Sequence, residues 1–113
     1  MSTMPKVSVV TTTYNDMDNL YRIMEEVQKQ TYKNIEHIIV DGGSTDGTVE
    51  MLTRLSEEQP GAFRWISEPD DGIYDAINKG LKLCTGDIIG TCFDHFADET
   101  VLARMVEIME REG

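Results

Sequence analysis

His37-Ile38-Ile39-Val40-Asp41-Gly42-Gly43-Ser44-Thr45-Asp46-Gly47-Thr48-Val49 decides how this chain folds, because its character changes midway. The apolar, β-branched opening reads as a strand that ends at Asp41. The glycines that follow let the backbone turn sharply and approach a ligand closely. Ser44, Thr45 and Asp46 then offer capping oxygens to a helix marked by Val49, Leu52 and Leu55. Strand, glycine-bearing loop and helix in this order form half of a βαβ unit.

The same alternation extends in both directions. Val7–Thr13, Phe63–Ser67 and Asp87–Phe93 have strand composition, the last of them after the turn residues Thr85-Gly86. Leu20, Ile23, Met24 and Val27 repeat at helical spacing, with Asp18 as the expected cap. Ile73, Ile77, Gly80 and Leu81 mark a third helix. A fourth is expected around Val101, Leu102, Met105, Val106 and Met109, capped by Asp98. A βαβαβαβα order predicts an α/β fold, a mainly parallel sheet with helices on both faces. No repeat, linker or low-complexity tract breaks it, so residues 1–113 read as one unit.

In such sheets ligands bind beyond the carboxyl ends of the strands. Those ends carry Thr12-Thr13-Tyr14-Asn15, the Asp41–Gly47 loop, Glu68-Pro69-Asp70-Asp71-Gly72 and Asp94-His95. Acidic, glycine-bearing loops on one rim suggest a metal-assisted site for an anionic ligand. Asp41 can accept hydrogen bonds from a ribose or a base N–H, whereas Asp46 reads better as a helix cap. A dinucleotide fingerprint is absent after every expected strand, and no EF-hand loop is present.

Composition narrows the field. Of the 113 residues 40% are hydrophobic and 27% charged, a globular profile. A net charge of −11 argues against nucleic-acid binding but admits a small phosphorylated substrate with a divalent cation between it and the carboxylates. No apolar run approaches the ~20 residues of a membrane span, and the first residues lack a signal-peptide core, so the cytoplasm is the default address. Cys84 and Cys92 form neither a disulfide framework nor a metal spacing and are expected as buried thiols.

Four blocks resemble family 2 glycosyltransferases, in the family's order. They are Val7–Asn15, Gln30–Thr48, Ile66–Gly80 (similar to the subgroup that builds bacterial surface polysaccharides) and Thr85–Gly90. The match runs from about Pro5 to Glu110, nearly the whole chain. The resemblance implies the Rossmann-like GT-A fold and transfer of a sugar from a nucleotide-diphosphate sugar, UDP- or GDP-linked. The acceptor would be a glycan or a lipid-linked acceptor, with the enzyme cytoplasmic or peripheral at the inner membrane face.

It also implies roles for individual residues. Thr12, Tyr14 and Asp41 would border the nucleobase and ribose; Asp71, Gly72 and Asn78 would lie near the nucleotide or the sugar. Many relatives carry an Asp where this chain has Gly42. Gly72 equally suits a tight helix start, Tyr74 and Ile77 read as core or pocket wall, and Lys79 as a solvated helix lysine. The family's metal-binding carboxylate corresponds here to Asp94, which would hold Mn²⁺ or Mg²⁺ on the diphosphate, in a segment two residues shorter than the family's. His95 is expected as an exposed loop residue and His37 as structural. The family's general base lies downstream of Gly113, so no catalytic residue is assigned. The chain thus reads as a truncated donor-binding portion. The alternative is a non-catalytic nucleotide-binding module, or one that self-associates through an uncovered sheet edge.

Overall fold

β-branched residues dominate the two longest strands, and burial on both faces explains why. A computed structural model of the protein describes residues 5–91 and Val106. Its elements are β1 (Val7–Thr13), α1 (Met17–Gln28), β2 (Ile35–Asp41), α2 (Thr48–Glu58), β3 (Arg64–Ser67), α3 (Ile73–Leu83) and β4 (Ile88–Thr91). All strand pairs are parallel, in the order β3-β2-β1-β4. β1 and β2 are central and almost wholly buried, while β3 at the edge is half-exposed.

Register assigns each side chain to a face. Val9 pairs with His37 and Thr11 with Ile39, so odd-numbered residues of β1 and β2 share one side. On that side Ile23 and Val27 of α1 pack on Val7 and Val9, together with Val106. Leu20 and Met24 continue onto Ile39 and onto Met51, Leu52 and Leu55 of α2. Ile38 and Val40 face the other way and meet Ala76 of α3. Two crossovers on one face and one on the opposite face turn the chain back at β1, so β1 and β4 flank the point where strand order reverses.

Several expectations shift in detail. The N-cap of α1 is Asp16, with Asp18 inside the first turn. β3 begins at Arg64, and Phe63 turns into the α1–α2 core. The inward face of α3 is built from Ala76 and Gly80, while Leu81 is 39% exposed. The reason is proximity: a Cβ on Gly80 would lie 2.4 Å from Val10 Cγ1 and 3.2 Å from Val40 Cγ2. Small residues let α3 sit close to the sheet, so Gly80 packs inward as expected while Leu81 beside it turns outward. Of the expected fourth helix only Val106 lies among the described residues, and it is helical and buried.

At the amino end of the sheet Glu36 gathers a closed network. Its carboxylate accepts from Thr85 N (2.9 Å), Thr85 Oγ1 (2.8 Å) and Ser8 Oγ (2.8 Å), and pairs with Lys6 and Arg64. Burial alone would raise its pKa, but the Thr85 and Ser8 hydrogen bonds and the Lys6 charge hold it at about 2. His37, expected to be structural, is buried with Nε2 2.9 Å from Thr11 Oγ1, and burial lowers its pKa to about 4. Cys84 is a half-buried thiol at the end of α3, and Cys92 lies outside the described residues. Among the described residues no helix is long and apolar enough to cross a membrane.

Candidate functional site

The carboxyl ends of β1, β2 and β3 are stitched into one rim by short polar side chains. Asn15, in a left-handed conformation (φ 50), accepts at Oδ1 from Thr45 N (2.8 Å). Its own N–H donates to Ser44 Oγ (2.8 Å). Asp46 joins two helix starts: Oδ2 accepts from Met17 N (3.1 Å), and Oδ1 from Thr48 N (3.2 Å) and Thr48 Oγ1 (2.6 Å). The Thr48 hydroxyl is the main reason its pKa lies below the usual carboxylate range. The capping role read from sequence therefore extends to α1, a helix nearly thirty positions earlier in the chain.

Asp41 departs from expectation. It is 0% exposed, and both its oxygens are taken up by the protein. Oδ2 accepts from Gly43 N (3.2 Å), Ser44 N (2.9 Å) and Ser67 Oγ (2.8 Å), while Oδ1 accepts from Ser44 Oγ. A strand-end carboxylate beside a glycine turn sits where loop N–H groups converge, and it satisfies them before a ligand could. Its part is to shape the β2–α2 loop and join it to β3.

The β3–α3 loop is held from within. Asp70 Oδ1 accepts from Gly72 N (3.1 Å), an Asx turn, and Asp75 Oδ2 accepts from Asp71 N (3.0 Å). Lys79, expected as a solvated helix lysine, folds back to donate to Pro69 O (2.9 Å) and pairs with Glu68 (3.1 Å) and Asp75 (3.4 Å). Gly72 has φ 115 at the start of α3, a conformation that favours glycine, so its helix-start reading applies whatever else it does.

Between these loops lies a cavity of about 340 Å³ lined by Thr12, Thr13, Tyr14, Asp70, Gly72 and Ala76. A second cavity, about 190 Å³, opens at the amino end beside Glu36 and Arg64, whose charged groups already satisfy each other. The first is the better candidate because it lies at the strand ends where ligands bind in open parallel sheets. It also holds polar groups that are not used up. Thr13 Oγ1 is buried without a partner among the described residues. Tyr14, 62% exposed, offers a free aromatic face at the mouth.

Of the residues singled out in sequence, Thr12, Tyr14 and Gly72 line this cavity. Asp41 is buried and not part of the lining, Asp71 is exposed with its N–H committed to Asp75, and Asn78 is exposed on α3 outside the lining. Tyr74, read as core or pocket wall, is instead 81% exposed. Asp94 and His95 lie outside the described residues, and among those described no group of three or more His, Cys, Asp or Glu could hold a metal ion. Sequence reasoning passed over Thr13 and Asp70. The spacing of Asp70 two residues before Gly72 is an Asx-turn signal that distinguishes it from Asp71.

The family model for glycosyl transferase family 2 matches residues 8–113. An uncharacterized glycosyltransferase of Mycobacterium tuberculosis is 40% identical over 116 aligned residues, and this chain spans 43% of its length. Among solved structures, a mannosyltransferase from Pyrobaculum calidifontis in complex with GDP-Man and Mn²⁺ superimposes with a TM-score of 0.82 at 28% identity. The overlap covers 94% of this chain and 32% of that one. TarS of S. aureus in complex with UDP-GlcNAc shares the fold, with a TM-score of 0.81 at 19% identity, covering 94% of this chain and 31% of that one. The four-stranded parallel sheet with helices on both faces is thus a Rossmann-like GT-A arrangement.

Proposed function

This chain belongs to glycosyl transferase family 2, and from that premise we propose that residues 1–113 form the donor-binding portion of a sugar transferase. The reaction moves a sugar from a nucleotide-diphosphate sugar to an acceptor in glycan biosynthesis. The observation that carries this reading is the cavity at the strand ends, with its exposed Tyr14 ring, Thr12 and Thr13 hydroxyls and glycine-bearing walls.

Each group has a physical task in this reading. The Tyr14 ring stacks on the nucleobase, since every base presents a π-face. Thr12 and Thr13 donate to or accept from base and ribose edges. Asp41 keeps the β2–α2 loop open by holding Gly43 N, Ser44 N and Ser67 Oγ. The diphosphate needs countercharge in so acidic a protein, and a divalent cation, Mn²⁺ or Mg²⁺, would offset the charge that develops on the leaving group. We assign Asp94 as its carboxylate. The similarity to a mannosyltransferase whose structure contains Mn²⁺ supports a cation of this kind.

Calorimetric titration of the 113-residue chain with UDP and GDP, each with and without Mn²⁺, tests the proposal. Saturable binding of one nucleotide that Mn²⁺ strengthens and Asp94→Asn weakens is the expected result. A folded chain that binds neither would sink the reading. Binding without sugar transfer or donor hydrolysis would favour the non-catalytic module instead.

A further inference from the structure

The wall between the β2–α2 and β3–α3 loops has an unusual arrangement. A Cβ built on Gly42 would lie 2.7 Å from Asp70 Oδ2 and 3.4 Å from Tyr14 Cδ1. The Asp70 carboxylate therefore occupies the space that any larger residue at position 42 would claim, next to the tyrosine ring. Gly42 does not have a positive φ, so its backbone places no demand on residue type and only the space does. Asp70 is also only half committed. Oδ1 accepts from Gly72 N, whereas Oδ2 has no donor among the described residues although the side chain is half-buried in the cavity wall. That oxygen is open to solvent rather than sealed in, so a ligand donor can take the place of water there.

We propose that Asp70 Oδ2 binds the nucleoside by accepting a hydrogen bond from a neutral donor, a ring N–H of the base or a ribose hydroxyl, and that Gly42 is glycine to make room for it. The negative charge repels the diphosphate, which assigns this wall to the nucleoside end of the ligand. The adjacent Tyr14 ring orients a flat base at the same point, and the unpartnered Thr13 hydroxyl can donate to a ring carbonyl on the same ligand. The inference rests on the donor-site reading and adds a residue which that reading did not contain.

Substitution at both positions separates this proposal from its premise. In Asp70→Asn the amide oxygen is needed by Gly72 N, which turns the NH₂ toward the ligand and replaces an acceptor by a donor. Affinity for the nucleotide should fall by about 10- to 100-fold, the range for a hydrogen bond to a charged group. Gly42→Ala should give a similar loss, because the new methyl displaces a movable carboxylate rather than backbone. The double variant should be no weaker than either single one, since both remove the same contact. The ring-N-methyl analogue and the 2′- and 3′-deoxy analogues of the nucleotide that binds assign the donor to base or ribose. Full affinity in Asp70→Asn, additive losses in the double variant, or equal affinity for every analogue would each overturn the proposal while leaving the donor site standing. A wild-type chain that binds neither UDP nor GDP overturns both. Circular dichroism of each variant separates lost contact from lost fold.

Discussion

β2 carries a carboxylate near each end, half-buried at Glu36 and fully buried at Asp41, and the two are handled differently. Glu36, near the amino end, is met by two cations as well as by hydroxyl and amide donors. Asp41, at the carboxyl end, is met by neutral donors alone, two backbone N–H groups and two serine hydroxyls. Around Glu36 the charges close on one another and little remains for a ligand. Around Asp41 the acid organises loops while neighbouring polar atoms, Thr13 Oγ1 and Asp70 Oδ2, have no protein partner among the described residues. Burial of a carboxylate is therefore not the mark of the site; unpaired polar atoms beside it are.

Removing each acid should sharpen this contrast most. Asp41→Ala leaves four donors without an acceptor in a buried place, and we expect a loss of roughly 4 kcal/mol together with nucleotide binding. Glu36→Gln should cost less, roughly 2 to 3 kcal/mol, because it gives up the charge that holds the folded pKa at about 2 while Lys6 and Arg64, 38% and 50% exposed, can turn to water. Urea denaturation of both variants measures the gap; equal losses would break the comparison.

The next effect in size is acid sensitivity. His37 is neutral when folded (pKa about 4) but takes up a proton near 6.5 when unfolded. Its contribution is complete above pH 6.5 and is lost as pH falls toward 4, about 3 kcal/mol in all. Glu36, at about 2 when folded against 4.5, gives stability that is present above 4.5 and lost as pH falls to 2. Neighbouring residues thus fail in adjacent pH windows. A His37→Gln variant should show a flatter stability profile between pH 6.5 and 4.5 with the lower window unchanged.

Gly80→Ala tests the opposite face. Its methyl would meet Val10 and Val40 of the central strands, and overpacking of that kind should cost about 2 kcal/mol without changing which nucleotide binds. The smallest expected effect is Lys79→Met. Loss of its hold on Pro69 O and Glu68 loosens the loop that carries Asp70, and nucleotide affinity should drop by about threefold with stability nearly unchanged. A larger drop would mean that Lys79 meets the ligand directly.

Much of this architecture was legible from residue pattern. The β-branched runs at Val7–Thr13 and Ile35–Asp41, and the helical spacing of Leu20, Ile23, Met24 and Val27, gave strands and helix nearly at their observed bounds. α3 was found with Gly80 on its packed face, but Ala76 was missed and Leu81 misassigned, because small residues carry too little apolar weight to mark a packing face. At the site, Thr12, Tyr14 and Gly72 were reachable from their position at strand and helix ends. Asp70 was passed over beside Asp71 because adjacent acids look alike until their partners are known.

Periodicity and turn chemistry act over a few residues, so the sequence alone determined the order of elements, the parallel sheet and the rim where loops collect. Which acids are free was decided only by tertiary structure. Ser67 reaches Asp41 across 26 positions and Met17 reaches Asp46 across 29, while Gly42 opens the space that Asp70 fills from a loop beyond β3. A carboxylate oxygen is open to a ligand where folding has left it without a donor of its own, and that balance depends on residues far away in the chain.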